Sequence, residues 1–139
     1  RPYSPSCPFW SDYVSMIRHA RSLGTRSESS PDIYLVIPPP LMKEGVEDID
    51  QTVISSVLPE LIRSLAAASG IPADHVLDMF SALGGDSLQD VPASGCASNM
   101  PTVSGCGFFC DATMCDQLHP CGKGHAKMAE VVRLAILQS

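Results

Sequence analysis

"DIYLVI", residues 32–37, runs straight into three prolines at 38–40, and the fold turns on how that stretch is read. The run is short and apolar at nearly every position. A segment of that kind has no face to offer to water, and it suits a parallel strand covered by helices on both sides. The prolines end it abruptly, because proline lacks the N–H that a strand ladder needs. "HVLDMF", residues 75–80, is the second strand candidate.

Helical patterns surround the two runs. Over residues 8–23, Phe9, Tyr13, Val14 and Ile17 recur at helical spacing, with Pro8 in the first turn and Gly24 as a stop. Over 49–69, Val53, Ile54, Val57, Leu58, Leu61, Ile62 and Leu65 form one stripe, and Gly70 suits the C-cap. Pro59 is expected to kink this helix or restart it. A closing helix places Met128, Val131, Val132 and Ala135 on one face. Helix, strand, helix, strand, long loop, helix is the order of an α/β domain with a parallel sheet. Two strands are few for a doubly wound sheet, and they would leave an open edge and uncovered helix stripes. Residues 1–139 therefore read as one segment of a larger α/β unit.

The chain has 139 residues, 45% of them apolar, which is enough for a core. No run of about 18 apolar residues marks a membrane span. The net charge is -6 and the basic residues are scattered, which disfavours nucleic acid as a partner. The six cysteines are Cys7, Cys96, Cys106, Cys110, Cys115 and Cys121, and five of them crowd into residues 96–121. An even total, most of it in a stretch rich in Gly, Ser and Pro, reads as disulfide stapling in a secreted or lumenal setting. Zinc is the rival reading, but no CxxC pair occurs and no metal is expected. The pairing itself is not legible. Cys7 stands apart and bonds either to the cluster or to a partner chain. The chain begins at Arg1, with no signal peptide, and reads as a trimmed precursor or a fragment.

The chemistry concentrates in "CDQLHPCGKGHAKMAEVV", residues 115–132. Asp116 and His119 are three apart, just before the closing helix. On a turn, that spacing lets the carboxylate accept the imidazole Nδ1 proton and leaves Nε2 free as a base. Asp111 is the rival carboxylate. The competing reading is a histidine that merely packs near a helix start. Pro38, Pro39, Pro40 and Leu41 follow a strand, where α/β folds place ligands, and are expected to wall a substrate pocket. His19 reads as surface, His75 as a turn or edge residue, His125 as part of the first turn of the last helix, and Asp78 as a strand-end carboxylate. Phe9 and Trp10 read as core or wall. A Cys-His nucleophile pair using Cys110 or Cys115 is a further alternative, which disulfide bonding would remove.

The block "DQLHPCGKGHAKMAEVV" resembles the terminal block of the SGNH/GDSL hydrolases, where an Asp-x-x-His-Pro before a helix supplies two members of a catalytic triad. "FWSDYVSMI", "PDIYLVIPPPLM", "VISSVLPELIRSLAAASGI" and "HVLDMFSAL" follow the order of that family's second half, and the triple proline is similar to the sialate O-acetylesterase-like branch. The resemblance implies the C-terminal half of a flavodoxin-like, three-layer α/β/α fold, with residues 84–121 inserted as a Cys-rich loop. It implies a cofactor-free carboxylic ester hydrolase acting on O-acetylated carbohydrate or another small ester. His119 would be its base and Asp116 the residue that orients the base. Disulfides through Cys115 and Cys121 would brace the catalytic loop.

The serine is the difficulty. "GGDSLQD", residues 84–90, contains the letters Gly-Asp-Ser-Leu, yet it follows the second strand candidate and no helical stripe comes after it. In the family, the serine ends the first strand and precedes a helix. Ser87 is therefore expected to lie in a turn, not to act as nucleophile. Asn99, the one asparagine, lies in the inserted loop and does not match the family's oxyanion asparagine. The nucleophile is expected from an N-terminal half of the same precursor, in the same polypeptide or as a second chain. The alternative is a non-catalytic, disulfide-stapled binding or structural protein.

Overall fold

The structure, a computed structural model, describes residues 8–24, 29–100, 102–103 and 105–138, with the backbone alone for residue 138. β1 (Leu35–Ile37) and β2 (Val76–Asp78) pair in parallel, with Leu35 opposite Val76, Val36 opposite Leu77 and Ile37 opposite Asp78. The chain is thus mixed α/β with a two-stranded parallel sheet among the described residues.

Both strands are shorter than their apolar runs. At the end of β2, the Asp78 side chain accepts the backbone N–H of Ser81 at 2.9 Å. That N-cap turns Met79 and Phe80 into the start of a short helix, α3 (Met79–Ala82), where a longer strand was expected. Upstream of β1, Tyr34 stacks on His75 with ring centroids 4.2 Å apart, and His75 Nδ1 lies 3.2 Å from the carbonyl oxygen of Ile33.

α1 (Pro8–Ser22) follows the spacing read from the sequence. The long second helix is one rod with a fault in it. Residues 53–57 form a widened π turn before α2 (Leu58–Ala68). Pro59 is the cause, because it has no N–H for the carbonyl four residues back and its ring crowds that carbonyl. α2 ends as Gly70 predicts. Gly70 has φ +63, Ile71 N–H reaches Ala66 O at 2.9 Å, and Gly70 N–H reaches Ala67 O at 3.1 Å. This is a Schellman closure. Arg21 of α1 donates to the freed carbonyls of Ser69 and Gly70, tying α1 to that terminus.

One core gathers Ile17 of α1, Leu35 and Ile37 of β1, and Leu61, Ile62 and Leu65 of α2. A second lies under the Cys-rich segment and joins Met42, Leu83, Cys96, Cys106, Phe109 and Cys110, with Met128 packed against it. Residues 84–121 are therefore more than a loop. They contain a 3-10 segment, Gly85–Asp90, and a short helix, α4 (Cys106–Phe109).

α5 (Gly122–Gln138) closes the chain and packs on α3, α4 and β2. Leu35 and Ile37 face α2, so Val36 points to the opposite side of the sheet, together with its register partner Leu77. Leu77 is 6% exposed but Val36 is 43% exposed, so that face is covered over β2 and bare over β1. Val132, Leu134 and Leu137 of α5 are also exposed. No helix among the described residues is long and apolar enough to cross a membrane.

Candidate active site

Asp116 folds a local turn around its own side chain. Oδ1 accepts the backbone N–H groups of Leu118 at 3.0 Å and His119 at 2.8 Å. Oδ2 accepts the proton of His119 Nδ1 at 2.7 Å. One carboxylate thus fixes both the backbone and the ring of the histidine. With Nδ1 donating, Nε2 of the neutral ring is left as an acceptor. The backbone N–H of His119 is the main reason the Asp116 carboxyl sits below its ordinary value of 3.8, with the ring of His119 adding to it. The His119 side chain is 70% exposed and that of Asp116 is 38% exposed.

The expected rival carboxylate is engaged elsewhere. Asp111 Oδ1 accepts the N–H groups of Thr113 and Met114, both at 2.8 Å, and the Thr113 hydroxyl at 2.9 Å. It closes the 111–114 turn, and those bonds hold its carboxyl below the usual range, Thr113 N–H most of all. Asp78 caps α3 and pairs with Arg63. His19 and His125 are exposed, the latter in the first turn of α5.

The 38–42 segment does meet the Asp116–His119 turn, since Met42 N–H donates to Gln117 O at 3.0 Å. Its expected role as a pocket wall needs correction. Pro40 is fully buried and Leu41 is 3% exposed, so both belong to the interior and offer no surface to a ligand. Pro38 and Pro39, half-buried beyond β1, keep some surface. A cleft of about 450 Å³ lies instead beside Arg63, Ala66, Ile71, Val76 and Asp78. Another, of about 400 Å³, lies beside Cys110, Asp111, Cys121 and Lys123.

The disulfides are Cys96–Cys106, with Cα atoms 5.4 Å apart, and Cys110–Cys115, with Cα atoms 4.4 Å apart. Neither zinc nor a cysteine nucleophile can use those four sulfurs. Cys121 departs from expectation, being a buried free thiol. It sits where Cys121 N–H donates to Phe108 O at 2.8 Å, against α4, and the nearby cysteines are already paired with each other. Cys7 lies outside the described residues. Among the described residues, no group of three His, Cys, Asp or Glu gathers to hold a metal.

Ser87 occupies a tight turn. Its N–H donates to Gly84 O at 3.2 Å, Gly84 has φ +83, and no hydrogen bond joins Ser87 to His119. A Cβ on neighbouring Gly85 would lie 2.6 Å from the Phe80 ring, so that glycine is required by packing. The residue that sequence reasoning passed over is Gln117. Its φ of 71 and its long-range bonds leave no local signature. No family model, no curated protein and no solved structure matches the chain.

Proposed function

We propose that this chain supplies the acid–base half of a serine carboxylic ester hydrolase of the SGNH/GDSL kind. His119 is the base and Asp116 holds and charges it. The observation that carries the reading is the 2.7 Å bond from His119 Nδ1 to Asp116 Oδ2 on a ring that is otherwise open to solvent. The ring is oriented at one nitrogen and accessible at the other, the state a general base needs.

In this reading, Nε2 of His119 takes the proton of a seryl hydroxyl as that oxygen attacks the ester carbonyl. The imidazolium, stabilised by Asp116, then gives the proton to the leaving alkoxide. Water repeats the two transfers on the acyl-enzyme. The serine and the oxyanion donors come from an N-terminal half of the same precursor or from a partner chain. That partner extends the sheet past β1 and covers Val36, completing a three-layer α/β/α body. The bareness of Val36 beside the buried Leu77 supports this cover. No organic cofactor or metal enters the chemistry. The substrate class, O-acetylated carbohydrate or another small ester, rests on the sequence resemblance. The two disulfides are compatible with a secreted or lumenal setting.

A fluorophosphonate probe tests the reading on the native material. Labelling of a seryl polypeptide that accompanies this chain, lost on His119→Ala, is the expected result. Absence of labelled protein overturns it and leaves a stapled binding or structural protein, a reading favoured by the lack of any hydroxyl bonded to His119 among the described residues. Labelling at Ser87 overturns the assignment of the nucleophile.

A further inference from the structure

Gln117 lies between the two residues of the dyad and is held by two distant segments and by its own turn. Its φ of 71 is a left-handed conformation that residues with a Cβ rarely adopt. The backbone there is pinned by Met42 N–H on Gln117 O at 3.0 Å. The side chain is pinned harder. Its Oε1 accepts Cys96 N–H at 2.8 Å, and its Nε2 donates to Cys96 O at 2.7 Å and to Cys115 O at 3.0 Å. The carboxamide thus pairs with Cys96 in both directions, as a neighbouring strand would.

Both anchors are themselves fixed. Cys96 is bonded to Cys106, and Cys115 to Cys110. Gly95 makes the room, because a Cβ there would stand 2.6 Å from Gln117 Oε1. The reversed backbone at Gln117 brings the N–H groups of Leu118 and His119 back onto Asp116 Oδ1.

We infer that Gln117 is a positioning residue: its carboxamide, clamped to the Cys-rich segment, holds the turn that presents His119 to Asp116. The inserted segment is thereby part of the site's support. The inference rests on reading Asp116 and His119 as a proton relay, but the geometry it concerns is measurable without turnover.

The test is NMR of the whole chain with two variants, Gln117→Ala and Gln117→Gly. Alanine keeps the backbone penalty and removes the clamp, whereas glycine removes both. The readouts are the downfield Nδ1 proton of His119 and the carbon-detected titration of the Asp116 carboxyl. In Gln117→Ala the ring proton signal is expected to vanish and the Asp116 midpoint to rise toward its ordinary value. In Gln117→Gly both should change in the same direction, by less. Gly95→Ala displaces the carboxamide from the other side and should reproduce the alanine result, which covers the case where Gln117→Ala does not fold. Near-UV circular dichroism monitors folding. In material that the fluorophosphonate labels, Gln117→Ala should also lower kcat by about tenfold to a hundredfold with little change in KM. An unchanged ring proton and an unchanged Asp116 titration in folded Gln117→Ala or Gly95→Ala overturn the inference. If no serine is labelled, the hydrolase reading falls, while these NMR results still decide the role of Gln117.

Discussion

Asp116→Asn separates charge from shape at the proposed base. The asparagine oxygen still accepts the N–H groups of Leu118 and His119, so the turn is retained. What goes is the negative charge facing the ring. With Nδ1 and Oδ2 2.7 Å apart, the two charge centres stand near contact. Unit charges about 4 Å apart interact by roughly 1 kcal/mol in bulk water and roughly 4 kcal/mol at an effective dielectric of about 20. In the chain alone, with the side chains 70% and 38% exposed, the lower figure applies. Under a covering partner the higher figure applies. Because about 1.4 kcal/mol is tenfold in rate, kcat in the assembled esterase should fall about a thousandfold. An asparagine N–H₂ turned toward Nδ1 would favour the wrong tautomer and deepen the loss. The assay is the rate of fluorophosphonate labelling beside the turnover of p-nitrophenyl acetate, with folding checked by circular dichroism. A loss smaller than about tenfold in the labelled assembly refutes the reasoning, because Asp116 would then not be acting on a desolvated imidazolium.

The carboxyls of Asp111 and Asp116 are both held below 3.8 in the folded chain, so each adds stability above that pH that is lost as pH falls through the folded value. Melting temperature should therefore drop below about pH 4, and Asp111→Asn should flatten that drop; parallel curves for wild type and variant contradict it. Leu65 is fully buried between α2 and β1, and Leu65→Ala should cost about 2–5 kcal/mol. For a chain of 139 residues that is a fall of roughly 7–17 °C in Tm by calorimetry, and a shift under about 3 °C rejects the packing described. In native, unreduced protein, Cys96, Cys106, Cys110 and Cys115 should take up no maleimide, and Cys121 should react only after denaturation. Peptide mapping that joins Cys121 to any of those four would contradict the pairing. Val36→Glu should change the stability of the chain alone by no more than about 0.5 kcal/mol. The same change should weaken association with the seryl partner about tenfold or more in sedimentation or pull-down, and equal association would show that the β1 face is not the seat of the partner.

What the sequence revealed and what it hid divide by distance along the chain. The Asp116–His119 bond spans three residues, so the spacing allowed it, and the sequence resemblance singled it out. The stop at Gly70 and the fault at Pro59 are likewise local, fixed by one residue's backbone chemistry. Gln117 was invisible because its partner Cys96 lies 21 residues away, and a positive φ at a glutamine has no letter to mark it. The cysteine count announced stapling but not which sulfurs meet. Cys121, expected in a bridge, stays a thiol because Cys110 closes on Cys115, the nearer residue along the chain. β2 was read too long because Met79 and Phe80 are apolar and extend the run, while Asp78 uses its carboxylate to cap α3.

The exposed apolar surface has a pattern that bears on all of this. The stripe of α5 was read correctly as periodic, and periodicity is a property of the helix alone. Burial is a property of the neighbours, and α5 has them on α3, α4 and β2 but not along Val132, Leu134 and Leu137. On the sheet, Val36 and Leu77 are register partners on one face, and only the one over β2 is sealed. The opposite face, against α2, is closed over β1, with Leu35 at 4% and Ile37 at 0% exposure, while Val76 and Asp78 of β2 are half-buried beside the larger cleft. Val36 stands on the open edge strand β1, whose outer backbone groups still require partners. α5, which packs on β2, begins three residues after His119, so the turn that carries the dyad is joined directly to a helix of the same sheet.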